Sequence, residues 1–129
     1  MSLSSQIILA VTPEAAHAFM AMLAKNPPAL ALCNGAYVYL SAYEQEGDWL
    51  VFWPDIDWRD RISPGVAAIT AFVRAMDGND LSEYGEPSPP DGQDWRDHFR
   101  YIHISATTDK VESKGWVFRG IHLQKSIVF

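Results

Sequence analysis

The stretch Ala36-Tyr-Val-Tyr-Leu-Ser-Ala-Tyr-Glu-Gln-Glu-Gly-Asp-Trp-Leu-Val-Phe-Trp53 decides how this chain folds. Two runs rich in aromatic and β-branched residues flank a short polar segment, the pattern of a β-hairpin. The turn falls at Gln45-Glu-Gly-Asp48, where Gly47 offers the left-handed backbone that such turns use. Seven of the sixteen aromatic residues lie between Tyr37 and Trp58, and acids are threaded among them. Rings beside carboxylates build a core strand pair, a binding face, or both.

Working outward, Gln6 to Val11 reads as a short buried strand. Thr12-Pro13-Glu14 then opens a helix: Thr caps free amides, Pro fits the first turn, and Glu suits the positive end of the dipole. Its apolar stripe is Phe19, Met20 and Leu23, and Asn26-Pro27-Pro28 ends it near Lys25. Ser63-Pro64-Gly65 opens a second helix, in which Val66, Ile69, Phe72, Val73 and Met76 fall at helical spacing. Gly78 is placed to end it in the left-handed conformation. A long loop covers Leu81 to Asp94, and Asp94 is a candidate cap for one turn through His98. Phe99 to Ala106 alternates as a strand, and Trp116 to Val128 reads as another, broken at Gly120.

The resulting order is β-α-β-β-α-β plus one C-terminal strand. That order predicts an α+β fold of ferredoxin-like plan, an antiparallel sheet with two helices on one face. At 129 residues the chain reads as a single domain, residues 1–129. A chain of this size buries roughly two-thirds of its unfolded surface, enough for a core without staples. Its one cysteine, Cys33, has no internal partner and reads as a small buried hydrophobe in a reducing, cytoplasmic setting. No apolar run approaches the roughly 20 residues of a membrane span, and the N-terminal segment lacks the basic start of a signal peptide.

The net charge of −6 is unevenly spread. Glu44 to Asp60 holds six acids and one base; Asp77 to Asp97 holds seven acids and one base. His98 to Phe129 is mildly basic, with five bases and two acids. A phosphate backbone is repelled by such a surface, whereas a basic protein is attracted. RNA-recognition modules also stack rings on an open sheet, but the basic residues they require are missing here. Nucleic acid and membrane are therefore not expected partners.

A turn at residues 45–48 sets hairpin pairs that sum to 93, so Ala42 faces Val51, Leu40 faces Trp53 and Tyr43 faces Leu50. Alternation then collects Val38, Leu40, Ala42, Val51 and Trp53 on one side, suited to burial under helices. If the aliphatic faces of the later strands also meet the helices, the opposite face gathers Tyr37, Tyr39, Tyr43, Phe52, Tyr101, His103, Trp116, Phe118 and His122. A broad aromatic face of this kind needs a cover. A second small core, a partner, a second copy of the chain in a homodimer, and a small ligand are the alternatives.

Chemical motifs are sparse. Asp55-Ile-Asp57 followed by Asp60 has the carboxylates of a hard-cation site, but the EF-hand pattern fails at Asp60 and Val66. His98 and His103 lack the spacing and glutamate of a zinc helix, while His103 and His122 fit one face of neighbouring strands. Neither a glycine-rich phosphate loop nor a nucleophile elbow occurs. No catalytic residue, metal ligand or cofactor is expected, and binding is favoured over catalysis. The expected activity is that of a small acidic cytoplasmic domain which binds and neutralises another, basic protein, as inhibitor or immunity proteins do. Tyr37, Tyr39, Tyr43, Trp49, Trp53, Trp58, Asp55, Asp57, Tyr101, His103 and His122 are its candidate binding residues: rings as anchors, acids for steering. The alternative is a ligand-binding or catalytic domain with a pocket on the open sheet face, using His103 and His122.

Overall fold

The computed structural model describes residues 5–40, 49–85, 89, 94–105 and 111–115. The elements are β1 (Ser5–Val11), α1 (Pro13–Lys25), α2 (Pro27–Asn34), β2 (Tyr37–Leu40), β3 (Trp49–Ile56), α3 (Pro64–Asp77), β4 (Phe99–Ser105) and β5 (Val111–Lys114). Short 3-10 turns occupy Ser82–Tyr84 and Trp95–His98. The fold is α+β. The sheet runs β2-β3-β1-β4-β5, and every neighbouring pair is antiparallel.

Local chemistry sets the helix boundaries. Pro13 starts α1 and Pro64 starts α3, where the side chain of Ser63 accepts the amide of Val66 at 3.3 Å. At the head of α1, Thr12 has the capping position without the capping bond. Its hydroxyl instead meets His98 Nδ1 at 2.7 Å, while its amide donates to the His98 carbonyl at 3.0 Å. Two bonds thus tie the start of α1 to the entrance of β4. The pair Pro27-Pro28 both stops α1 and starts α2, a helix the sequence reading does not contain. Proline breaks a helix from inside, but it is pre-organised for the first turn of the next one. Among the described residues there are accordingly three α-helices rather than two. At the end of α3, Gly78 keeps an ordinary φ of −86°, and the left-handed residue is Asn79, at φ 59°. The side-chain oxygen of Asn79 accepts the Trp95 amide at 2.8 Å, so this cap also anchors the next turn. That turn is capped as expected, with Asp94 and Asp97 forming a reciprocal capping box.

Ile7, Leu9 and Val11 on one face of β1 pack into the main core with apolar residues from all three helices, among them Phe19, Ala29, Cys33, Ile69 and Phe72. Rings of Phe19 and Phe72 meet at 5.4 Å between α1 and α3. Burying each such side chain contributes about 1.5–3 kcal/mol. The expected stripe of α1 is corrected at one position: Met20 is 51% exposed, and Met22 is buried beside Phe19 and Leu23. All five apolar residues named for the second helix are buried. On the other sheet face, Ile8, Ala10, Leu50, Phe52 and Ile102 form a smaller buried cluster.

Two strand expectations are corrected. The hairpin register pairs Tyr37 with Phe52, Val38 with Val51 and Leu40 with Trp49, offset by four residues from the one derived from the turn. An even offset conserves the assignment of residues to faces, because side chains alternate with period two. The register of β3 is held on its other side by β1, from Ser5 opposite Ile56 to Val11 opposite Trp49, a constraint that a short turn motif cannot express. Residues 41–48, including Ser41, Ala42, Tyr43 and the turn, lie outside the described residues, as do Ala106 and the C-terminal strand from Trp116 to Val128.

The second correction concerns β4. Leu9 lies opposite both Val51 and Tyr101, and Ile8 lies opposite both Phe52 and Ile102. Tyr101 therefore shares the helix-packed face, while Ile102 belongs to the smaller cluster. Among the described residues the predicted aromatic face is split: Tyr37 and Phe52 stack on one side of the sheet, at 6.3 Å between rings, and Tyr101 lies on the other. Polarity contrast misassigned β4 because both faces of the sheet are apolar. A tyrosine is accommodated in the main core once its hydroxyl has a partner.

Candidate functional site

The candidate residues separate into two places. The first is a groove of about 520 Å³ at the β2 edge, between the end of α2 and β3. Ala31, Leu32, Gly35 and Ala36 form one wall, and Trp53, Pro54, Asp55 and Ile56 the other, with Tyr37 at the lip. Tyr37 is 58% exposed although its ring rests on Phe52. Trp53 is buried, donates its indole N–H to the Leu32 carbonyl at 2.9 Å, and so ties β3 to α2 behind the groove. Among the described residues, β2 has a strand neighbour on one side only, so Tyr37–Leu40 is an edge strand of the described sheet. Tyr39 stands opposite Leu50 in this ladder.

The second place is a cleft of about 210 Å³ between α3 and the β4–β5 edge. Val66, Thr70, Val73 and Arg74 of α3 form one wall, Tyr101, His103, Glu112 and Lys114 the other, and Trp58 and Asp60 close one end. Trp58 is a core residue, packed at 5.1 Å on the Trp53 ring and donating its indole N–H to Tyr101 Oη at 2.9 Å. Burial, and secondarily the charge of Glu112, pushes the Tyr101 hydroxyl well above its ordinary pKa. Nε2 of His103 meets Ser5 Oγ at 2.9 Å, and its Nδ1 stands 4.0 Å from Glu112 Oε1. Desolvation lowers the His103 pKa, with Glu112 opposing, so the ring favours its neutral form. The other oxygen of Glu112 is 4.0 Å from Lys114 Nζ.

Of the remaining candidates, Asp57 forms a two-point pair with Arg59, at 2.7 and 2.6 Å, and this hydrogen-bonded partner holds its carboxyl below the usual range. Asp55 is exposed on the groove rim, and Trp49 is partly buried against the main core. The three carboxylates of the Asp55–Asp60 segment thus serve different places: the groove, a local ion pair and the cleft. Among the described residues no group of three His, Cys, Asp or Glu side chains could hold a metal, and no helix is long and apolar enough to cross a membrane. Tyr43 and His122 lie outside the described residues.

The sequence reading brought Tyr37, Tyr101 and His103 to one sheet face; the fold places Tyr37 at the groove and Tyr101 and His103 in the cleft. It missed Thr70, Arg74, Glu112 and Lys114. Thr70 and Arg74 stand four apart on α3, off its apolar stripe, and that spacing was the one available signal. Glu112 and Lys114 were invisible because β5 is too short and polar to read as a strand. Comparison with protein-family models, curated proteins and solved structures finds no match for this chain.

Proposed function

We propose that this chain is a cytoplasmic protein-binding domain of ferredoxin-like topology, which holds an extended basic segment of another protein at the β2 edge and inhibits that partner. The topology is supported by strand order: β1 lies between β3 and β4, and β3 between β1 and β2. Each β-α-β unit is thereby split by a strand of the other, the feature that defines the ferredoxin-like plan. The observation that carries the binding reading is the groove itself. It combines a strand edge without a partner among the described residues, an exposed aromatic lip at Tyr37, an apolar floor and a carboxylate at Asp55.

An added strand gains main-chain hydrogen bonds from β2, and its alternate side chains enter the groove. The acids of the Glu44–Asp60 segment supply long-range attraction for a basic partner and speed its approach. Trp53 and Trp58, which the sequence offered as anchors, act instead as the rigid support behind the surface. The test is affinity capture with the full chain, followed by measured Kd values for the recovered partner against the Tyr37→Ala and Asp55→Lys variants. Each substitution is expected to weaken binding by about tenfold or more, and added salt to slow association. A partner bound equally well by both variants would sink the proposal.

A further inference from the structure

We propose that the cleft between α3 and the β4–β5 edge is a separate site for a small zwitterion of the α-amino acid type. Its charges are paired only at the outer limit of an ion pair or, among the described residues, not at all. Arg74 is exposed on α3, and Asp60 is exposed at the end of the cleft, ahead of that helix in sequence. Among the described residues neither has a salt-bridge partner, although both line the same cleft. Across from them, Glu112 lies 4.0 Å from Lys114 and 4.0 Å from His103. These separations exceed a hydrogen bond, so each group keeps capacity for a ligand atom. The planar fork of Arg74 suits a carboxylate. The acids suit an ammonium, and Tyr101 already accepts from Trp58 while its own O–H remains a donor.

Both signs are needed. A simple anion would face the carboxylates of Asp60 and Glu112, and a simple cation would face Arg74 and Lys114. A molecule carrying both charges a few ångströms apart satisfies the two sets together. The volume of about 210 Å³ corresponds to a small metabolite, about seven waters' worth of space. Val66, Val73 and the Trp58 ring give an apolar strip for a short aliphatic side chain.

The experiment is a titration of the full ¹⁵N-labelled chain with L-valine, with propionate and n-propylamine as single-charge probes. Valine should shift the signals of the Trp58 indole, Arg74 and Lys114 saturably, and bind about tenfold or more tighter than either single-charge probe. Arg74→Gln and Asp60→Asn should each weaken valine by about tenfold, Arg74→Lys should restore part of it, and Tyr37→Ala should leave it unchanged. Equal response to all three probes, no saturable response to valine, or shifts mapping away from the cleft would overturn the assignment. Because the groove variants and the cleft variants are read independently, failure of one proposal is distinguishable from failure of the other. Arg74 is on the surface, so its variants are expected to melt with the parent chain, which controls for folding.

Discussion

Replacing Tyr101 by Phe removes one oxygen and leaves the ring, and the structure says what that oxygen does. It accepts the indole N–H of Trp58 at 2.9 Å, between two residues that are 3% and 8% exposed. Without it the indole N–H loses its partner in a desolvated position, at a cost of about 1–3 kcal/mol. For a domain of this size urea slopes are about 1–3 kcal/mol/M, so the unfolding midpoint should fall by roughly 0.5–1.5 M with an unchanged slope. Tryptophan fluorescence and far-UV circular dichroism should report the same transition. A double-mutant cycle with Trp58→Phe isolates the bond, and a coupling energy of about 1 kcal/mol is expected. The pH dependence gives a second reading. The hydroxyl titrates above its ordinary value of 10.0 in the folded state because burial disfavours the anion. Above pH 10 the unfolded chain loses this proton and the folded chain keeps it, so stability falls as pH rises, by about 1.4 kcal/mol per unit. The Phe variant should lack that part of the alkaline slope. A variant as stable as the parent, or a coupling below about 0.3 kcal/mol, would refute the assignment of Trp58 as a core residue locked by Tyr101.

Burial pushes the Cys33 thiol from 9.0 up to about 11, so stability should also fall between those values, and Cys33→Ala should flatten this part of the curve in urea titrations at stepped pH. His103 has the opposite window. Its folded-state pKa lies below 6.5, so the unfolded chain takes up a proton first and stability should drop as pH falls through that region, less steeply in His103→Gln by thermal melts. An added methyl at Gly65 would sit 2.6 Å from the Pro28 carbonyl oxygen and 2.6 Å from a Leu32 methyl. Gly65→Ala should therefore destabilise by about 1–3 kcal/mol despite better helix propensity, read as a lowered melting temperature. Asp57→Asn removes an exposed ion pair and should change the melting temperature by almost nothing.

Much of the fold was legible because short-range chemistry wrote it. Proline at the first turn, a serine cap and apolar spacing located α1 and α3 and their buried faces, apart from Met20. A short apolar run located β1, the hairpin pattern located β2 and β3, and alternation located β4. The same proline signal concealed α2, since Pro27-Pro28 reads equally as a stop and as a start, and eight residues carry too little periodicity to decide.

The sequence by itself determined a hairpin between two helices, an acidic surface and the absence of a recognisable catalytic motif. Only the tertiary structure decided which face of β4 meets the helices, because both faces are apolar and the choice rests on how β1 pairs with β3 and β4 together. It alone moved Trp58 from surface to core, and it supplied the Leu32 carbonyl and the Tyr101 hydroxyl that the indole N–H groups of Trp53 and Trp58 require. It alone assembled Asp60, Arg74, His103 and Glu112 around one cleft. Those residues are spread over four segments of chain, and pattern reading along the chain has no term for a distance across a sheet.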